Sequence, residues 1–259
     1  MADPGRQDRA RQALLGIAPY ALGAVGIALL VFAASTFPST SGFGYDYAAY
    51  DGAARRVAMG EPLYLPGSVE AYNSGHYAGL YLYPPPAAVA FLPFVALPPA
   101  AAPVAWLWLR VLLLVAAISI LPIGRLARGA TLAIAGVTFA VLYDLNIGNL
   151  SVVLFVVSAV AWRWRERWPG ALSTAFATAL RPSFAIVLGG WLVRGWRERR
   201  ERSRGGPRAG ARRDGPRPAW RQLGLTIGFG AALALVASAI VGFGAWGDYL
   251  TTVRGIGGA

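Results

Sequence analysis

The chain has 259 residues, 56% of them hydrophobic and only 14% charged, with a mean hydropathy of +0.49; a soluble domain carries about 25% charged residues, so a membrane protein is predicted. The net charge is +12, all the basic residues are Arg, Cys is absent and there is one His. This excludes disulfides, thiolate chemistry and Cys- or His-rich metal sites, and arginines that flank apolar runs instead of lining one face argue against nucleic acid as a partner.

Residues 1–12 are polar and carry Arg6, Arg9 and Arg11, which predicts a cytoplasmic tail. The first span is predicted at about 13–37. It lacks a small-residue cleavage site and reads as a retained signal-anchor helix. An outer loop follows at 38–84, and the outer region extends to residue 100. The loop holds Asp46, Asp51, Glu61, Glu70 and nine aromatic residues, with only Arg55 and Arg56 as cations. Within it, 47–59 is predicted as a short amphipathic helix on the membrane surface. Tyr50, Ala53, Ala54 and Val57 recur at helical spacing there, and Gly60 ends it. Residues 84–97 are apolar but fall short of the about 20 residues a span needs, so an interfacial or re-entrant helix is predicted.

Further spans are predicted at 101–123, 130–143 and 150–162. Arg125 and Arg128 mark an inner turn, and 144–149 an outer one. The segment 169–193 has basic flanks on both sides and Arg181-Pro182 at its middle. It is predicted as a hairpin of two short helices with Arg181 at the tip. Residues 194–221 hold eleven Arg and three acids and are predicted to be a disordered cytoplasmic loop able to touch anionic lipid. A last span covers 223–243, with Trp246, Asp248 and Tyr249 outside. The fold class is therefore all-α: a polytopic helical bundle of about seven transmembrane helices plus short juxtamembrane helices in the first outer loop. It forms one transmembrane domain, 13–259, with the N-terminus inside. Nineteen of the 24 Arg then fall on the cytoplasmic side, as the positive-inside rule requires.

Asp46 is the leading candidate for chemistry. A carboxylate near the outer surface can act as general base on a hydroxyl, and helix capping is the equally weighted plainer reading. Arg110 and Arg181 lie within apolar segments, where a charge costs a few kcal/mol and marks function by default. Arg is the usual partner of phosphate, although Arg110 could instead snorkel to headgroups. Asn146 and Asn149 fit turn and cap chemistry. His76 could assist proton transfer, and Tyr50 and Tyr83 could wall a cavity. No phosphate-cradling loop or dinucleotide glycine pattern is present.

At these residues the chain resembles glycosyltransferase family 87, membrane enzymes of the GT-C architecture that include a polyprenol-phosphate-mannose-dependent mannosyltransferase. Asp46-Tyr47-Ala48-Ala49-Tyr50 followed by Gly60-Glu61-Pro62-Leu63-Tyr64 is similar to its first-loop pattern. Tyr83-Pro84-Pro85 through Leu92-Pro93-Phe94 is similar to its Tyr-Pro-Pro helix. Ile147-Gly148-Asn149 falls where members often have Gly-Gln, and Leu180-Arg181-Pro182 where they often have Lys-Pro, with Trp196-Arg197 as the basic exit. The resemblance implies a cell-membrane enzyme that moves a hexose, mannose foremost, from a polyprenyl-phosphate sugar to a lipid or glycan acceptor on the extracytoplasmic side, without a cofactor. Asp46 would be the base. Arg181 with Arg110 would bind the donor phosphate, and Tyr50, His76, Tyr83, Asn146 and Asn149 would line the substrate cavity. Members usually continue with further spans, so a C-terminally truncated form is an accompanying expectation. The alternative from another class is a non-enzymatic membrane protein, such as a lipid-linked-sugar transporter.

Overall fold

A computed structural model describes residues 4–75, 80–203 and 218–257. Twelve α-helices and two 3₁₀ turns, with no strand, make up the described residues. The chain divides into two compact units, one of residues 1–47 and 99–159, the other of residues 48–98 and 160–259.

In the first unit, α1 (Pro4–Thr36) pairs along α6 (Arg125–Val137). Glycines make this close pairing possible. A Cβ on Gly26 would run into the Leu132 backbone, one on Gly129 into the Pro19 carbonyl, and one on Gly136 would stand 2.9 Å from the Gly26 oxygen. Small residues at such spacings let membrane helices approach backbone to backbone. The α5 helix (Ala101–Ile120) packs against both α1 and α7 (Phe139–Ile147). Leu30, Ala34, Leu107, Val111, Leu114, Ile118, Leu132 and Leu145 form the core. The span predicted at 130–143 is two helices, α6 and α7, bent by 63°. Thr138 breaks them: it is extended, and its hydroxyl and N–H both turn back to the Ile134 carbonyl.

The helix α2 (Tyr45–Met59) starts two residues earlier than its pattern suggests, and it is closed at Gly60 with φ 73°. In the second unit, α4 (Pro85–Val95), α9 (Trp168–Leu180) and α11 (Pro218–Val241) pack on one another, with α10 (Ile186–Ser203) against α11. The α4 helix is too short to span and buries Pro85, Pro86, Ala87, Ala88 and Phe91 within this unit. The short α3 (Ser68–Asn73) packs on α12 (Gly244–Gly257), the helix that follows Gly242 where φ is 85°. The remaining helix, α8 (Ser151–Arg163), follows α7.

Among the described residues, three helices are long and apolar enough to cross a membrane, within 16–39, 101–120 and 219–241, or four with the bent pair, which is consistent with the expected helical membrane bundle. One expectation needs correction. The basic segment expected to be disordered from Arg194 is helical to Ser203, and helix resumes at Pro218; residues 204–217 lie outside those described. Arg and Glu are good helix formers. The helix is also held by contacts: Arg194 pairs with Glu166 at 3.1 Å, the Arg200 guanidinium sits 3.8 Å over the Trp196 ring, and Gly195 receives Trp220.

Candidate functional site

Asp46 lies in the first turn of α2, within the first unit. It is not a side-chain cap; its partner comes from the turn between α7 and α8. Two bonds seat the residues before α2 on the end of α7. The Gly44 N–H donates to the Asn146 carbonyl at 2.9 Å, and the Thr40 hydroxyl donates to Asn146 Oδ1, also at 2.9 Å. Gly148 then ends α7 with a left-handed φ of 91°. A Cβ there would stand 2.7 Å from the Tyr47 Cβ, so only glycine allows this approach.

Asn149 caps α8. Its Oδ1 accepts from the Ser151 N–H at 3.1 Å and from the Ser151 hydroxyl at 3.0 Å. A backbone N–H can only donate, so this bond settles which end of the carboxamide is oxygen. The Asn149 Nδ2 therefore faces Asp46 and donates to Oδ2 at 2.6 Å. Asp46 is half-buried, and its Oδ1 bonds no described residue. The unit thus holds a carboxylate with one oxygen fixed by a rigid donor and the other open. A carboxylate so arranged can accept a proton from a hydroxyl brought to it.

Arg110, on α5, is fully buried. Its guanidinium donates to the carbonyls of Asp144 at 2.8 Å and Leu145 at 2.5 Å, and lies 3.8 Å from the Asp144 carboxylate. It does not snorkel; its fork is turned onto the main chain. Among the described residues, no three His, Cys, Asp or Glu side chains gather as metal ligands.

The other expected residues lie in the second unit. Arg181 caps α9 in extended conformation (φ −144°, ψ 103°) as the residue before Pro182, and a 3₁₀ turn, Pro182–Ala185, follows. Its side chain is exposed and bonds no described residue. Tyr50 is 1% exposed, stacked on Phe91 at 4.7 Å and edge-on to Tyr83 at 5.0 Å, so it packs a core and faces no open cavity. The Tyr83 carbonyl accepts from the Tyr64 hydroxyl at 2.7 Å. Burial pushes the Tyr64 and Tyr81 phenols well above their ordinary range; for Tyr64 the neighbouring Tyr249 and Asp248 add to this. These tyrosines are therefore neutral packing groups. His76 lies outside the described residues.

Sequence reasoning passed over Trp106 and Ser151 and met Gly148 only as part of the family pattern. Trp106 donates to the Gly148 carbonyl at 2.8 Å and precedes Arg110 by one helical turn. The i, i+4 spacing of Trp and Arg inside an apolar span is the signal that could have paired them.

No curated protein and no solved structure matches the chain. A family model does: glycosyltransferase family 87, over residues 81–259. That stretch includes Arg110, Asn149 and Arg181 and begins after Asp46. With more than half of its length matched, the chain, a helical membrane protein, belongs to glycosyltransferase family 87.

Proposed function

We propose that this glycosyltransferase moves a hexose, mannose foremost, from a polyprenyl-phosphate sugar to a lipid or glycan acceptor at the extracytoplasmic face of the cell membrane, with Asp46 as the general base. The observation that carries this reading is the half-buried Asp46 carboxylate, with Oδ2 held by Asn149 and Oδ1 open. A lipid-borne donor also suits a chain whose long helices are apolar.

In the proposed step the acceptor hydroxyl donates its hydrogen bond to Asp46 Oδ1. As the acceptor oxygen bonds to the anomeric carbon, its proton passes to Asp46. The bond from that carbon to the phosphate oxygen breaks on the opposite face, so the configuration inverts, and polyprenyl phosphate leaves with the electron pair. The charge developing on that phosphate needs a cation. We assign this role to Arg181, whose guanidinium is exposed and has no partner among the described residues.

The test is Asp46→Asn in membranes supplied with radiolabelled polyprenyl-phosphate mannose and native lipid acceptors. General-base catalysis contributes about 10²–10⁴-fold, so transfer should fall by that factor while expression and membrane insertion hold. Undiminished transfer by the Asn variant would remove Asp46 from the mechanism. Net movement of labelled donor across reconstituted vesicles, with no new glycosidic bond, would favour the transporter reading.

A further inference from the structure

A buried guanidinium in an apolar helix calls for an account of what it holds. Arg110 Nη1 donates to the Asp144 carbonyl at 2.8 Å and reaches the Asn149 carbonyl at 3.4 Å, while Nη2 donates to the Leu145 carbonyl at 2.5 Å. One turn earlier, Trp106 Nε1 donates to the Gly148 carbonyl at 2.8 Å, and its ring lies 5.4 Å from the Arg110 guanidinium carbon. Two side chains of one helix therefore grip four carbonyls between residues 144 and 149.

Those carbonyls belong to the C-terminus of α7 and the turn beyond it. The Asp144 carbonyl also accepts from the Gly148 and Asn149 N–H groups, but the last turn of a helix leaves later carbonyls without intrahelical donors, and its partial negative charge favours a cation there. In an apolar setting each orphan would cost about 1–3 kcal/mol. The planar fork of Arg meets two carbonyls of this turn at once, which a Lys ammonium cannot do with the same geometry. To take a phosphate instead, Arg110 would have to leave these bonds.

The gripped turn carries Asn149, and Asn149 Nδ2 is the donor that fixes Asp46 Oδ2 at 2.6 Å. From the other side, Gly148 lies against the Tyr47 backbone at the start of α2. A bonded path runs from Arg110 through the main chain of Asn149 to the Asp46 carboxylate. We infer that Arg110, backed by Trp106, is a positioning residue of this site: by holding the 144–149 carbonyls it sets the place of Asn149, and through it the direction of Asp46 Oδ1. This rests on the reading of Asp46 as the base.

The experiment measures transfer kinetics from polyprenyl-phosphate mannose for Arg110→Lys, Asn149→Ala, the double variant and Asp46→Asn, with folded yield as a control. A displacement near 1 Å at a reacting group can cost about 100-fold. Arg110→Lys should therefore lower kcat about 10- to 100-fold and leave KM for the donor within about 2-fold, because uniform ground-state binding is untouched. The double variant should be no slower than Asn149→Ala, since the two changes act through one path. A raised donor KM at unchanged kcat in Arg110→Lys would overturn the inference in favour of a phosphate ligand, and multiplicative losses in the double variant would overturn it too.

A second measurement separates this inference from the base assignment. The chain has no Cys, so Thr40→Cys with Asn146→Cys gives the only thiols, at a contact of 2.9 Å in the parent. Crosslinking of that pair should slow several-fold when Arg110→Lys is added; an unchanged rate would overturn the clamp whatever the fate of Asp46. If Asp46→Asn keeps full transfer, the base reading falls, and the positioning role falls with it even where crosslinking shows the turn to be clamped.

Discussion

Two arginines fall within apolar stretches of this sequence, and their surroundings could hardly differ more. Arg110 is fully buried on α5 and bonded to the carbonyls of a helix end. Arg181 is exposed at a break between α9 and a 3₁₀ turn, with no partner for its side chain among the described residues. The same residue type thus stands in two opposite settings. Where local backbone carbonyls lack donors, guanidinium becomes part of the scaffold. Where a proline has ended the helix and the side chain is left unbonded, the charge remains available to a ligand.

Replacing each by Met gives the largest expected contrast. Arg110→Met takes the guanidinium away from the Asp144, Leu145 and Asn149 carbonyls and from the nearby Asp144 carboxylate. Removing one partner of a buried pair costs about 3–5 kcal/mol, so folded yield and thermal stability in detergent should fall sharply. Arg181→Met should change stability by less than about 0.5 kcal/mol but lower transfer by about 10²–10³-fold, the usual loss of one charge-stabilising group. Equal stability losses in the two variants would show that the contrast in burial does not govern their roles.

The next contrast concerns two turns. Gly148 and Gly60 both have left-handed φ, 91° and 73°. A Cβ at Gly148 meets Tyr47, whereas one at Gly60 meets open space. Gly60→Ala pays only for the backbone conformation, about 1–2 kcal/mol. Gly148→Ala pays that and an overpacking cost of about 1–3 kcal/mol besides. It should also loosen the Asn149–Asp46 bond and lower transfer, which Gly60→Ala should not do. Thermal unfolding and transfer assays on the pair measure both; equal penalties would show that the turn at 148 yields easily.

How much of this was legible in the residues follows from the range over which each signal acts. The short amphipathic helix ended by Gly60 and the break at Arg181-Pro182 are local, and both were readable to within a few residues. Proline's effect on its predecessor needs no tertiary partner. The split of 130–143 at Thr138 was not legible: apolar composition runs through it, and only the extended backbone there divides the helix. The basic run after Arg194 was read as disordered from its charge and its Gly and Pro content; the helix-forming Arg and Glu at its start were outweighed, and its contacts with Glu166 and Trp220 are distant in sequence. For the site, Asp46 and Asn149 were each chosen separately. Their bond joins residues 103 apart, and nothing in the spacing announces it. The role of Arg110 was hidden for the same reason. A charged residue in an apolar run announces that it needs a partner, but it does not say whether that partner is a ligand or the main chain.

The smallest effect tests the Arg181 side of the comparison at its cause. Pro182 has no N–H to donate back to α9, and it holds Arg181 extended. In Pro182→Ala both constraints go, and residues 181–185, the last four already in a 3₁₀ turn, can join the helices on either side. Losing a proline destabilises by about 0.4–1 kcal/mol through the entropy of the unfolded chain. The helical bonds gained act against that loss, so thermal stability should barely move. The guanidinium survives in this variant but is carried on a different backbone. Transfer should therefore fall, by less than in Arg181→Met, and circular dichroism should show a slight rise in helix. Full transfer alongside that rise would mean that the break does not place Arg181. Its exposure would then have no more bearing on the reaction than that of any other surface arginine.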